Sequence, residues 1–157
     1  MLFHLSIDAD DPQRVAEVLA EFWGGRAMPF PPVGVGSWVA TAGDDRGTMI
    51  EVYRRGTEFV ESDQPNTTRI GAGARASATH MAIATPLDRD EATAVATRAG
   101  WPVRYFKRGG AFGVLEVWIE GWRMLEVLTP DMQQEYLAAV SARHRAERGP
   151  AAATTKA

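Results

Sequence analysis

Apolar and polar side chains alternate over Leu2 to Ile7 and again over Ala78 to Ala84, the period of a half-buried β-strand. Each run leads into a helical pattern. Asp11-Pro12 supplies a cap and a first-turn proline before an apolar stripe of Val15, Val18, Leu19 and Phe22, which Gly24-Gly25 ends. Asp88, with Glu91 three residues on, caps a stripe of Ala92, Val95, Ala96 and Ala99 that stops at Gly100. Three further strand patterns follow each helix: 27–30, 36–42 and 48–54, then 103–107, 113–119 and 123–128. Gly43-Asp44-Asp45-Arg46-Gly47 and Glu120-Gly121 carry the turn chemistry between the last two strands of each set.

The order strand, helix, strand, strand, strand therefore occurs twice, with "FHLSID" echoed by "THMAIA" and Met49-Ile50-Glu51-Val52 echoed by Met124-Leu125-Glu126-Val127. The expected fold is α+β: two tandem βαβββ modules forming cupped mixed sheets, plus a C-terminal helix. Residues 1–55 make the first module, 56–77 a linker rich in Gly, Ser, Thr and Asn, and 78–129 the second module. A helix over 130–148 starts at Thr129-Pro130-Asp131 and buries Met132, Tyr136, Leu137 and Val140; 149–157 is expected to be a disordered tail.

Strand parity decides which polar residues share a face. With Phe3, Leu5 and Ile7 turned to the helix, His4, Ser6 and Asp8 point away from it. The same argument turns Met49, Glu51 and Tyr53 away from the first helix, and His80 and Glu126 away from the second. Two His and two Glu thus recur at equivalent positions on helix-free faces, and two cupped half-sheets facing one centre would bring them to one metal ion. Imidazole and carboxylate suit Zn²⁺, Ni²⁺, Co²⁺, Fe²⁺ or Mn²⁺, with two positions left for substrate. Such an ion accepts neighbouring substrate oxygens and stabilises an enediolate while a Glu moves the proton.

Composition narrows the partners. The 157 residues hold 17 basic and 20 acidic side chains, net −3, with no long run of either sign, which argues against nucleic acid and membrane surfaces. Cysteine is absent, so thiol chemistry and disulfides are excluded. No stretch approaches the ~20 apolar residues of a membrane span, and MLFHLSID has no secretory leader pattern, so a cytoplasmic location is expected.

The paired modules, with His on the first strand and Glu on the last of each, resemble the vicinal oxygen chelate superfamily of glyoxalases, extradiol dioxygenases and bleomycin-binding proteins. The order His4, Glu51, His80, Glu126 is most similar to bacterial glyoxalase I. That resemblance implies a divalent-metal-dependent enzyme, a lyase, isomerase or epimerase, acting on a small oxygenated metabolite. It implies those four residues as ligands, Glu126 as proton-shuttling base and Glu51 as its counterpart. An Fe(II) ring-cleaving dioxygenase and a metal-free binding protein of the bleomycin-resistance type are the alternatives. Tyr53, Trp38, Trp118 and Phe112 are candidate pocket residues; Arg54, Arg55, Arg104, Lys107 and Arg108 read as a solvated rim, and His144 as exposed. A homodimer is expected, because a lone module leaves a sheet edge and a concave face uncovered.

Overall fold

The computed structural model describes residues 4–30, 35–59, 67–73 and 80–148, with side chains to residue 142. The proposed tail, the first three residues and most of the linker lie outside the described residues. The first module runs β1 (His4–Ala9), α1 (Pro12–Trp23), β2 (Arg26–Pro29), β3 (Trp38–Thr41) and β4 (Met49–Arg54). After β5 (Thr57–Phe59) and β6 (Thr68–Ile70) comes the second: β7 (Met81–Ala84), α2 (Arg89–Arg98), β8 (Val103–Arg108), β9 (Phe112–Ile119) and β10 (Arg123–Leu128). The closing helix is α3 (Pro130–Arg148).

The two sheets have the same order, β1-β4-β3-β2 and β7-β10-β9-β8, with the first strand parallel to the last and the other pairs antiparallel. The register repeats too: Ser6 lies opposite Glu51 and Ala82 opposite Glu126. Each His stands two positions before its module's partner of Glu, so the duplication read in the sequence extends to strand pairing.

Both helices form where their caps predict. The Asp11 carboxylate accepts from the Arg14 amide at 3.0 Å, Pro12 fills the first turn, and Gly24 at φ 64° ends α1. Gly25 is required by packing, since a Cβ there would lie 1.9 Å from the Thr41 carbonyl oxygen. At α2 the capping box closes, with Asp88 and Glu91 each accepting the other's amide at 2.9 Å. Val15, Leu19 and Phe22 pack with Ile50 and Val52, while Val95 and Ala96 pack with Leu115, Val117, Leu125 and Val127. One continuous apolar cluster contains both sets, and α1 meets α2.

The modules of one chain are therefore paired, and charged groups lock them. Glu120, in the β9–β10 turn, accepts from the amides of Asp10 and Asp11 at 2.8 Å and from Arg55 Nη2 at 2.9 Å. It thus caps the start of α1 from the other module. Glu120 holds a φ of 50°, uncommon for a residue with a side chain, which aims its carboxylate at those amides. Arg123 Nη2 bonds Asp8 at 2.6 Å, and the Arg55 and Arg123 guanidiniums lie 4.1 and 4.5 Å from the Trp122 ring. Arg55 is thereby an inter-module brace and not the solvated rim residue the sequence suggested.

Two more expectations change. Within the linker β5 and β6 pair as a small antiparallel sheet, and Phe59 meets the Tyr53 ring edge-on at 5.4 Å. The α3 helix starts where predicted, but of its apolar stripe Met132 is buried while Tyr136 is 40% and Leu137 63% exposed; Val140 is half-buried. Polar ties set its course along a rim: Gln133 donates to the Thr85 and Leu128 carbonyls at 3.0 and 2.9 Å, and Glu135 accepts from Gly113 N at 2.8 Å and Lys107 Nζ at 2.6 Å. Tyr136 meets Phe112 edge-on at 5.0 Å, on the face opposite α2, so the second module's far face is not helix-free as expected.

Glu120→Gly relaxes the backbone yet removes the acceptor for two helix-start amides and a buried guanidinium. It should destabilise the protein by about 1 to 3 kcal/mol in urea denaturation, with one transition for both modules. A stabilised variant would show that strain outweighs the lock.

Candidate functional site

The two modules present the same positions with different chemistry. In the first, His4 is exposed at the start of β1 and Glu51 is half-buried on the same face. Glu51 Oε2 accepts from Ser6 Oγ at 2.8 Å and from Tyr53 Oη at 2.5 Å. Neither partner carries charge, so the carboxylate is held and oriented without a counter-ion. Tyr53, 3% exposed beneath Phe59, has its phenol pKa raised from 10.0 to about 12, first by burial and then by its bond to Glu51.

In the second module Glu126 faces a guanidinium. Antiparallel pairing sets Glu116 directly opposite Glu126, two carboxylates that repel. Arg108 bridges them: its Nη2 bonds Glu116 and also Glu126, the latter at 2.8 Å, with Nε 3.3 Å from the same Glu126 oxygen. Hydrogen bonding to Glu126 first, and the charges of both carboxylates, push the Arg108 pKa up despite the opposing effect of burial. His80 stands immediately before β7.

Among the described residues, no group of three or more His, Asp or Glu comes together to hold a metal ion. The quartet His4, Glu51, His80 and Glu126 is divided into two His and Glu pairs at matching registers, one per module. As a donor set in one chain it does not fit a divalent ion: no three of its members come together among the described residues, and Glu126 is already paired with a cation.

Two clefts flank β7 and share Ala82, Ile83 and Ala84 as floor. One, about 400 Å³, is walled by Leu5, Trp23, Met49 and Ile50 with His4, Asp44 and Thr48 at its polar side. The other, about 320 Å³, lies under α3 between Leu128, Gln133, Tyr136 and Leu137. Of the sequence candidates only His4 lines either cleft. Tyr53 is buried against Glu51, Trp38 packs half-buried on the core, Trp118 is half-buried, and Phe112 packs on α3. Arg108 is a bridging residue and Lys107 an anchor for α3; neither is a plain solvated rim, whereas Arg54 and Arg104 are exposed. The side chain of His144 lies outside the described residues. Glu116, Trp23 and the small residues Ala82 and Ala84 went unassigned in the sequence, although the Glu116 parity with Phe112 and Trp118 marked it as a charge on the far face.

Among solved structures the chain is similar to lactoylglutathione lyase from Agrobacterium tumefaciens, at 15% identity, TM-score 0.56, covering 83% of this chain and 94% of that one. It is also similar to the fosfomycin resistance protein FosX from Mesorhizobium loti, at 14% identity, TM-score 0.54, covering 87% and 97%. The glyoxalase I of Leishmania major gives 19% identity, TM-score 0.52, and 92% and 96% coverage. The fold is that of the vicinal oxygen chelate superfamily. No family model and no curated protein matches the sequence. The vicinal oxygen chelate fold is thus carried by paired modules at identities where only architecture is shared. No helix among the described residues is long and apolar enough to cross a membrane.

Because folding raises the Tyr53 pKa, its contribution to stability is complete below pH 10 and is lost as pH rises through about 12. Phenolate absorbance should show a step near pH 12, and Tyr53→Phe should remove that late step. A titration in which Tyr53→Phe removes no late step would contradict the buried Tyr53 to Glu51 bond.

Proposed function

We propose that the chain binds a small organic molecule, with an apolar body and a polar end, in the cleft between β1, α1 and β7. The observation that carries this reading is the cleft itself: about 400 Å³, within the range of small-ligand sites, with an apolar wall, an alanine floor and His4, Asp44 and Thr48 on one side. Binding of this kind requires no metal, as in the bleomycin-resistance alternative. Where the bound molecule is also acted on, Glu51 is the carboxylate of choice for moving a proton, since it lies one strand alternation beyond Met49 of the cleft and is held by the neutral hydroxyls of Ser6 and Tyr53.

The metal-dependent lyase or isomerase is the second reading. The matching registers of His4 with Glu51 and of His80 with Glu126 favour it. It requires donors from a facing copy of the chain, because three do not converge among the described residues of one. A homodimer belongs to this proposal, and the exposed Val35, Phe59 and Ile70 are apolar surface that it would cover. Light scattering with elemental analysis tests it: a metal-free monomer removes the second reading.

Ala84 is exposed on the floor of both clefts, so a larger side chain there fills them without disturbing the core. Anilinonaphthalene sulfonate should bind the folded protein with enhanced fluorescence, and Ala84→Trp should weaken that binding roughly tenfold at unchanged circular dichroism. Equal binding to both proteins would place the dye, and the cleft reading with it, elsewhere.

A further inference from the structure

The second module carries its own cation. We propose that the Arg108 guanidinium is the resident positive charge of the Glu116 and Glu126 pair, which takes Glu126 out of metal and proton-transfer chemistry and leaves Glu51 as the available carboxylate of the duplicated set. This assignment is independent of which molecule occupies the cleft.

Three observations converge. Glu116 and Glu126 are directly opposed across β9 and β10, so their charges need an internal neutraliser. Arg108 stands on the edge strand β8 with the parity of Arg104, and Arg104 is the residue in register with Glu116; from four residues further along the strand Arg108 reaches both carboxylates. Both carboxylates are mostly buried, at 13% and 15% exposure, where loss of a paired charge is felt most. The equivalent positions of the first module carry none of this. Val39 takes the place of Glu116 opposite Glu51, and the Ser6 and Tyr53 hydroxyls hold Glu51.

A guanidinium and a divalent ion cannot share one carboxylate oxygen without strong mutual repulsion. Glu126 Oε1 is the oxygen bonded by both Nε and Nη2 of Arg108. A divalent ion would therefore have to displace the arginine before using that oxygen. The family resemblance implied the reverse division of labour, with Glu126 as the proton-shuttling base and Glu51 as its counterpart.

Calorimetric titration with Ni²⁺ alone, at fixed pH, separates the two assignments. Glu126→Gln in the otherwise unchanged protein should leave nickel affinity within about threefold of the parent, whereas loss of a first ligand or its immediate support typically costs 10-fold or more. Arg108→Met exposes two facing carboxylates and should tighten nickel binding by roughly tenfold or more, a gain that Arg108→Met with Glu126→Gln should lose. A weakening beyond threefold in Glu126→Gln overturns the proposal by itself, even if Arg108→Met does not fold. A folded Arg108→Met with unchanged nickel affinity overturns it too. Either result is distinguishable from failure of the cleft reading, which the dye experiment with Ala84→Trp reports.

Discussion

The carboxylate of Glu120 is the joint on which the two halves of the chain depend. It belongs to the second module, yet its bonds go to the first: the Asp10 and Asp11 amides at the start of α1 and the Arg55 guanidinium. A helix start always leaves amides without internal partners, and here another module supplies the acceptor. That couples the order of α1 to the conformation of the β9–β10 turn. Arg55, Trp122 and Arg123 then stack through cation–π contacts, and Asp8 closes the circuit. Such a group of charges adds modest net stability because each is desolvated, but it penalises any arrangement in which the halves slip or separate. The edge strands β1 and β7 are kept at fixed relative position, and the clefts along β7 owe their walls to that.

The two modules are equal frameworks in topology and register, but the side chains on them do different work. A His two positions ahead of a Glu's strand partner is present in both, as the register shows. What surrounds each Glu decides its chemistry more than the Glu itself. Ser6 and Tyr53 donate to Glu51 and leave its charge intact; Arg108 neutralises Glu126 and brings in Glu116 as a second acceptor. Two carboxylates that look interchangeable in the sequence are, in the folded chain, one oriented anion and one half of an ion-pair network.

Much of the architecture was legible because it follows from local rules. Alternation, the Asp11-Pro12 and Asp88 to Glu91 caps, and the terminal glycines each act over a few residues, and each appears where expected. The duplicated order made the paired-module fold readable as well. The pairings that were missed join residues far apart in sequence. Glu120 lies about a hundred positions from Asp10 and Asp11, and Arg123 farther still from Asp8, so no spacing announces them. The β5–β6 pair hid in a stretch whose Gly and Thr content reads as linker. The exposed side of α3 escaped because the amphipathic pattern was right while Gln133 and Glu135 steered the helix along a rim.

The candidate site shows where residue type ceases to be informative. Parity assigned His4, Glu51 and Glu126 to faces away from α1 and α2, but parity specifies a face and not a distance, so the convergence of four donors was never contained in it. What settles a carboxylate's role is the charge nearest to it, and on β8 that charge sits eight residues before Glu116 and eighteen before Glu126. Arg and Lys on an edge strand read as solvated because most are. Arg108 departs from that expectation for a reason the register supplies: Glu116 and Glu126 are forced opposite one another by the same pairing that builds the sheet. A sheet that opposes two acids on a partly covered face must protonate one, bind a cation or bring one of its own. This chain brings its own.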